Sequence, residues 1–176
     1  MTRLDRRSAI LAFAGLVLAN RREALAADGK QDVAIEPWVA TIPGEWMRST
    51  DPRPALYYEA PDGARGCYVK VYQSPRPMDP KAMAEQLQSI YERAFRKQGK
   101  GWEVRRRSGG LKNSAFHSTM DLYDSSNRYR IASFVLAKRT EAFQVTVHDY
   151  DCPDYDGTVS DFDTIRDSMR WRGDVA

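Results

Sequence analysis

Apolar positions along this chain keep two different rhythms, and the rhythm changes mark its elements. An uncharged run covers Ala9 to Ala19. From Val39 the period is two, the mark of a strand with one face buried. "VATIPGEWMRST" predicts a strand broken at Pro43-Gly44. Leu56, Tyr57 and Tyr58 lead into Pro61-Asp62-Gly63, after which Cys67, Val69 and Val71 alternate with Tyr68, Lys70 and Tyr72. That pattern predicts a hairpin. At residue 79 the period becomes helical. Asp79 is placed to N-cap and Pro80 to start the helix, with Met83, Leu87, Ile90, Tyr91, Ala94 and Phe95 on one face and Lys97 and Gly99 at the end.

Four more strands are predicted after the helix. "WEVRRRS" ends at Gly109-Gly110. "SAFHSTMDLYD" sets Phe116, Met120 and Leu122 against His117, Thr119, Asp121 and Tyr123. "RYRIASFVLAK" sets Tyr129, Ile131 and Val135 against Arg130, Ala132, Phe134 and Leu136. "AFQVTVHDY" points Phe143, Val145 and Val147 inward and Gln144, Thr146 and His148 outward. Short breaks between such runs imply an antiparallel meander. A closing helix carries Phe162, Ile165 and Met169 on one face, with Trp171 just past it. Strands, helix, strands and helix make the expected fold α+β: an antiparallel sheet of about six strands flanked by helices.

The first residues stand outside that domain. "MTRLDRRSAILAFAGLVLANRREALAA" has a basic start, 11 uncharged residues and Ala24-Leu25-Ala26 as a small-residue cleavage site. This is the layout of an export signal over residues 1–26, too short to span a bilayer. Arg6-Arg7 before the apolar run resembles a twin-arginine signal, and the general route stays open beside it. The expected organisation is signal 1–26, flexible mature N-terminus 27–37 and one domain 38–173, in a periplasmic or secreted protein.

Export changes the charge picture. The leader takes five arginines and two acids with it, leaving 22 basic and 22 acidic residues. A neutral mature chain argues against nucleic acid as a partner. The charge is unevenly placed: residues 65–112 carry 12 basic and 4 acidic side chains, and residues 141–167 carry 8 acidic and 1 basic. Either the two segments neutralise each other in the fold, or they steer a charged partner.

Cys67 and Cys152 in an exported chain are a disulfide candidate, closing a loop of roughly 85 residues and contributing about 4 kcal/mol. Two buried free thiols are the alternative. The densest chemistry is "HDYDCPDYDGTVSDFD", residues 148–163, with six aspartates. As a calcium loop with Gly157 at its sixth position, it places Asp154, Asp156 and Asp163 correctly but Cys152 at the anchor, a poor ligand for a hard cation. No metal site is assigned; those three aspartates are weak candidates only. The same acids suit a helix N-terminus, where the macrodipole favours them. A surface of Asp149, Asp151, Asp154, Tyr155 and Asp156 is the candidate for meeting a basic partner. No catalytic set is found: Cys152 sits among aspartates, unsuited to a reactive thiolate, and His117 and His148 remain candidates for zinc or hydrolysis only if they share a face.

"ATIPGEW", "DPKAMAEQLQSIYERAFRKQGKGWEV", the meander "LKNSAFHSTMDLYDSSNRYRIASFVLAKRTEAFQVTVHDY" and "DFDTIRDSMRW" together resemble the PsbP-like family, including the DcrB-like proteins, over most of residues 38–171. The resemblance implies an α/β/α sandwich without enzymatic activity or cofactor. Members act as assembly factors, chaperones, envelope proteins or immunity proteins against secreted toxins, including those of type VI secretion. The leading expectation is an exported, non-catalytic protein-binding module that inhibits a toxin or enzyme. The alternative is an envelope protein that binds a small ligand or metal.

Overall fold

The computed structural model describes residues 24–25, 29–50, 55–99, 101–112, 114–160 and 162–173. The export signal lies outside these residues except for Ala24–Leu25. Among the described residues eleven strands and three helices follow one another: β1 Ala24–Leu25, β2 Lys30–Ile35, β3 Trp38–Pro43, β4 Met47–Arg48, β5 Leu56–Glu59, β6 Arg65–Gln73, α1 Pro80–Arg96, β7 Trp102–Lys112, β8 Ala115–Asp124, β9 Tyr129–Ala137, β10 Glu141–Asp149, α2 Tyr155–Thr158, α3 Asp163–Ser168 and β11 Arg170–Trp171.

A seven-stranded sheet in the order β4-β5-β6-β10-β9-β8-β7 is antiparallel throughout. β7 to β10 form the expected meander, and β6 joins it by pairing with β10, Val69 opposite Val145. A second sheet, β1-β2-β3-β11, lies across one face with α3 beside it. The fold is α+β, with one strand more in the main sheet than the sequence suggests.

Both faces of the main sheet are covered. Phe134, Leu136, Phe143, Val145, Val147, Cys67 and Val69 meet Val33, Trp38 and Ile42 of the small sheet and Phe162, Ile165 and Met169 around α3. Trp38 is fully buried between Phe143 and Trp171, with ring centroids 5.9 and 5.7 Å away. On the opposite face α1 packs over β8 and β9. Met83 and Ala84 meet Val135 and Ala137, and Phe95 meets Met120, Leu122 and Ile131. The helix begins as expected: the Asp79 carboxylate accepts from the Ala82 N–H at 2.9 Å, and Pro80 is the first helical residue.

Four expectations need correction. Within the expected flexible lead-in 27–37, residues 30–35 instead form β2 with Val33 and Ile35 buried. "WEVRRRS" does not stop at Gly109-Gly110; β7 runs through both glycines, and Gly109 lies so close to the Phe116 ring that a Cβ there would sit 2.9 Å from it. Gln144, Thr146 and His148 do not face outward to solvent but are buried. Cys67 and Cys152 are free thiols. Cys67 sits in the core under the small sheet, whereas Cys152 packs with Tyr123 and Tyr155, so each thiol fills a different apolar cluster. Burial pushes the Cys67 thiol far above its ordinary range, which leaves it unreactive. Purified, unreduced protein is expected to show no thiol reactive towards a chromogenic disulfide reagent when native and two when denatured.

Candidate functional site

The acidic stretch is the natural starting point, and its described carboxylates are engaged within the chain. Asp149 is buried, with Arg65 Nε 3.5 Å away, and burial raises its pKa. Asp151 is exposed and pairs with Arg128 at 2.8 Å. Asp154 caps α2 by accepting from the Asp156 N–H at 3.1 Å. Asp156 lies 3.5 Å from Arg105, and Asp163 forms a two-pronged pair with Arg106 at 2.9 and 3.1 Å. Tyr155 is buried, its hydroxyl donating to Asp121 at 3.1 Å. The expected partner surface therefore loses Asp149 and Tyr155 to the interior, and Arg65, Arg105 and Arg106 of the basic segment each meet a carboxylate of the acidic one.

The calcium template fails for the same reason. Asp154, Asp156 and Asp163 each turn to a different cap or arginine, and no group of three or more His, Cys, Asp or Glu able to hold a metal exists among the described residues. Gly157 serves another purpose: a Cβ there would lie 2.5 Å from Asp154 Oδ2, so its absence lets the capping carboxylate fold back over the turn.

Beneath this loop is a charge cluster the sequence reading missed. Arg130 and Asp121, on neighbouring strands β9 and β8, are both fully buried and meet at 2.9 Å. Arg130 also donates to the carbonyls of Thr158 and Val159, and its guanidinium lies over the rings of Phe162 and Tyr155, 4.8 and 5.2 Å from their centroids. Arg106 reaches Asp121 at 3.3 Å. A bulge between Val104 and Arg106 makes this possible. Strict alternation would send Arg105 and Arg106 to opposite faces; instead both turn to the loop side, while Arg107 goes to Glu92 of α1. The signal was an arginine and an aspartate inside otherwise apolar strands, "YRIASFVLA" and "STMDLY". Such residues are almost never buried unless paired.

The other face holds an aromatic and polar cluster centred on His148. Its two ring nitrogens meet Tyr91 Oη at 3.1 Å and Tyr129 Oη at 2.6 Å. Tyr68, Phe95 and Tyr150 surround the ring, and Tyr57 stacks on Tyr68 at 4.5 Å. Burial, with Lys70 nearby, drives the imidazole pKa down to about 3. His148 is thus neutral, one nitrogen donating to a phenol and the other accepting from one. His117 lies on the opposite face of the sheet, paired in register with Leu136 of the main core. The two histidines therefore share no metal or catalytic site.

Beside His148, Tyr72 Oη donates to Gln144 Oε1 at 2.9 Å, and Gln144 Nε2 donates to Ser133 Oγ at 2.9 Å. Gln88 of α1 donates to the Ser133 carbonyl at 3.0 Å, while its own Oε1 is buried without a partner among the described residues. This face thus holds a second buried polar cluster, across the sheet from the Arg130–Asp121 pair.

Two outcomes follow. Arg130→Met and Asp121→Asn are each expected to cost about 3–5 kcal/mol in urea denaturation, since each strands a buried charge, and the double variant should cost well below their sum. The second concerns acid. His148 has a folded pKa below its unfolded value, so the unfolded chain takes up the proton first. The stability from neutral His148 is complete above pH 6.5 and drains as pH falls towards about 3, by up to about 1.4 kcal/mol per unit. His148→Gln should flatten that slope in denaturation curves taken from pH 7 to pH 4.

No protein-family model and no curated protein sequence matches the chain. Solved structures do. The solution structure of cyanobacterial PsbP (CyanoP) from Synechocystis sp. PCC 6803 is similar with a TM-score of 0.65 at 11% identity, over 86% of this chain and 98% of that one. The Ran-binding protein Mog1p of Saccharomyces cerevisiae is similar with a TM-score of 0.51 at 8% identity, over 81% and 95%. At these identities the likeness is one of fold. Two layers of sheet with a long helix on the far face, in an arrangement similar to that of CyanoP, make this a PsbP-like fold.

Proposed function

We propose that this chain is a non-catalytic protein-binding module that acts outside the cytoplasm, as an inhibitor or immunity-type protein against a secreted toxin or enzyme. The observation that carries the docking role is the outer edge of β7. That strand ends the main sheet, and no other strand pairs with its outer side among the described residues. Its first half is guarded by Arg105, Arg106 and Arg107, each held by a carboxylate. Its second half, Ser108 to Leu111, is exposed and uncharged, and Leu111 is 78% exposed.

An open strand edge offers a row of unpaired backbone N–H and C=O groups, to which a partner can add a strand of its own. Gly109 and Gly110 keep side chains out of the way, and Leu111 supplies an apolar anchor. Mog1p, of similar fold, is a Ran-binding protein, which supports the use of this scaffold as a docking platform. The extracytoplasmic setting rests on the leader-like residues 1–26. The acidic loop is a poor contact surface because its carboxylates already have partners.

A photo-crosslinking residue at Gly110, where a side chain would meet nothing within 4 Å, tests the edge. In the native periplasm it is expected to give one discrete adduct, competed away by excess unlabelled protein and lost in Leu111→Asp. No competed adduct at 110, with one formed from a crosslinker at Asp154, would return the contact to the acidic loop. The inhibitor role is expected to show as restored growth when the chain is co-expressed with a toxic product of an adjacent gene; unrelieved toxicity would refute that role and leave the docking edge standing.

A further inference from the structure

The small sheet has an outer strand that processing of the leader would remove. β1, Ala24–Leu25, pairs antiparallel with β2, Ala24 opposite Asp32 and Leu25 opposite Gln31, and with no other strand among the described residues. The same two residues begin the cleavage motif Ala24-Leu25-Ala26. A cut after Ala26 falls between β1 and β2, so β1 goes with the leader and β2 stays with the domain.

β2 is held in place without β1. On its inner side it pairs with β3, from Lys30 opposite Pro43 to Ile35 opposite Trp38. Val33 and Ile35 are part of the main core. Its start is pinned just past the cut. The Gly44 N–H donates to the Gly29 carbonyl at 2.7 Å, and Gln31 Nε2 donates to the Pro43 carbonyl at 3.1 Å. Gly29 takes φ +65°, which glycine adopts without strain, and a Cβ on Gly44 would lie 2.9 Å from the Gly29 backbone. All these contacts lie beyond Ala27 and outlast the cut. The outer side of β2 does not: its backbone groups lose the strand that faced them. A strand edge is usually guarded by charge, proline or a bulge. In β2 the second half, Val33-Ala34-Ile35, is uncharged, and Asp32 is turned to Thr41 and Arg170 at 2.6 and 2.7 Å.

We infer that removal of the leader opens β2 as an acceptor edge, which takes an extended, uncharged segment of a partner protein in the place of β1. The chemistry of the occupant follows from the segment seated there in the full chain: small and aliphatic residues, running antiparallel, held by main-chain hydrogen bonds. The inference rests on reading residues 1–26 as a leader. It is independent of the β7 edge, which belongs to the other sheet.

Residue-by-residue amide hydrogen exchange compares the chain that starts at Ala27 with the full chain kept whole by Ala27→Pro, since proline after the scissile bond blocks the cut. An amide of Gln31 or Asp32 is expected to exchange about tenfold faster in the shorter chain. The amides of Val69 and Val145 in the main sheet should not change, which shows that both chains are folded. The uncharged peptide acetyl-AALAA-amide should slow the β2 amide again in the shorter chain and leave the full chain alone. Equal exchange in the two chains, a peptide that moves neither chain or both alike, or a shorter chain that closes the edge by dimerising in sedimentation would each overturn the acceptor edge. Mass spectrometry of the exported protein tests the leader separately: a start at Ala27 supports it, and a start that retains Ala24–Leu25 would defeat the opening step even where the exchange difference stands.

Discussion

The contact between Arg130 and Asp121 decides how the second half of this protein is arranged. Two opposite charges on adjacent strands, both out of reach of water, need every polar atom around them matched. The chain after β10 supplies the match. Carbonyls of Thr158 and Val159 accept from Arg130, the Tyr155 hydroxyl donates to Asp121, and Phe162 and Tyr155 lay their rings against the guanidinium. α2 has four residues and α3 six, too short to be stable alone. They hold their shape because the ion pair and the core beneath hold them. Asp151, Asp154, Asp156 and Asp163, which look like part of a binding loop, are tied to caps and arginines around this anchor.

The sequence revealed the elements better than the site. Alternation found β6, β9 and β10 because their core-facing residues are β-branched or aromatic, and the capping pair Asp79-Pro80 found α1. It missed β2, where only short segments of apolar character, Val33 to Ile35, enter the core. It misjudged the polar side of β10, since Gln144, Thr146 and His148 look like residues for water. They are buried because α1 and β6 bring partners for them, and partners on distant elements leave no trace in local periodicity. The disulfide expectation failed for a related reason: export and a pair of cysteines are properties of the sequence, whereas the two clusters that separate the thiols are properties of the fold. The arginine run shows the limit most clearly. Period two predicts dilution over two faces, and one bulged residue at Arg105 concentrates two guanidiniums on one side.

The main sheet thus separates two chemistries. On the side of the small sheet the filling is aliphatic and aromatic around Trp38, with the Arg130–Asp121 pair buried at its loop end. On the α1 side the filling turns from apolar near β8 to phenolic and amide near β6. The polar filling lies between α1 and β6, away from the β7 edge at the other end of the sheet.

The small sheet joins the two ends of the chain. β3 has β2 on one side and β11 on the other, with Trp171 opposite Trp38 and Arg170 reaching Asp32 at 2.7 Å. At synthesis rates of about 5–20 residues per second, β7 to β10 can pair while the ribosome still holds the last residues, because their contacts are local. The layer that seals the main core cannot close until Trp171 has been made. Closing that layer thus depends on a contact between β3 and β11 that spans most of the described sequence.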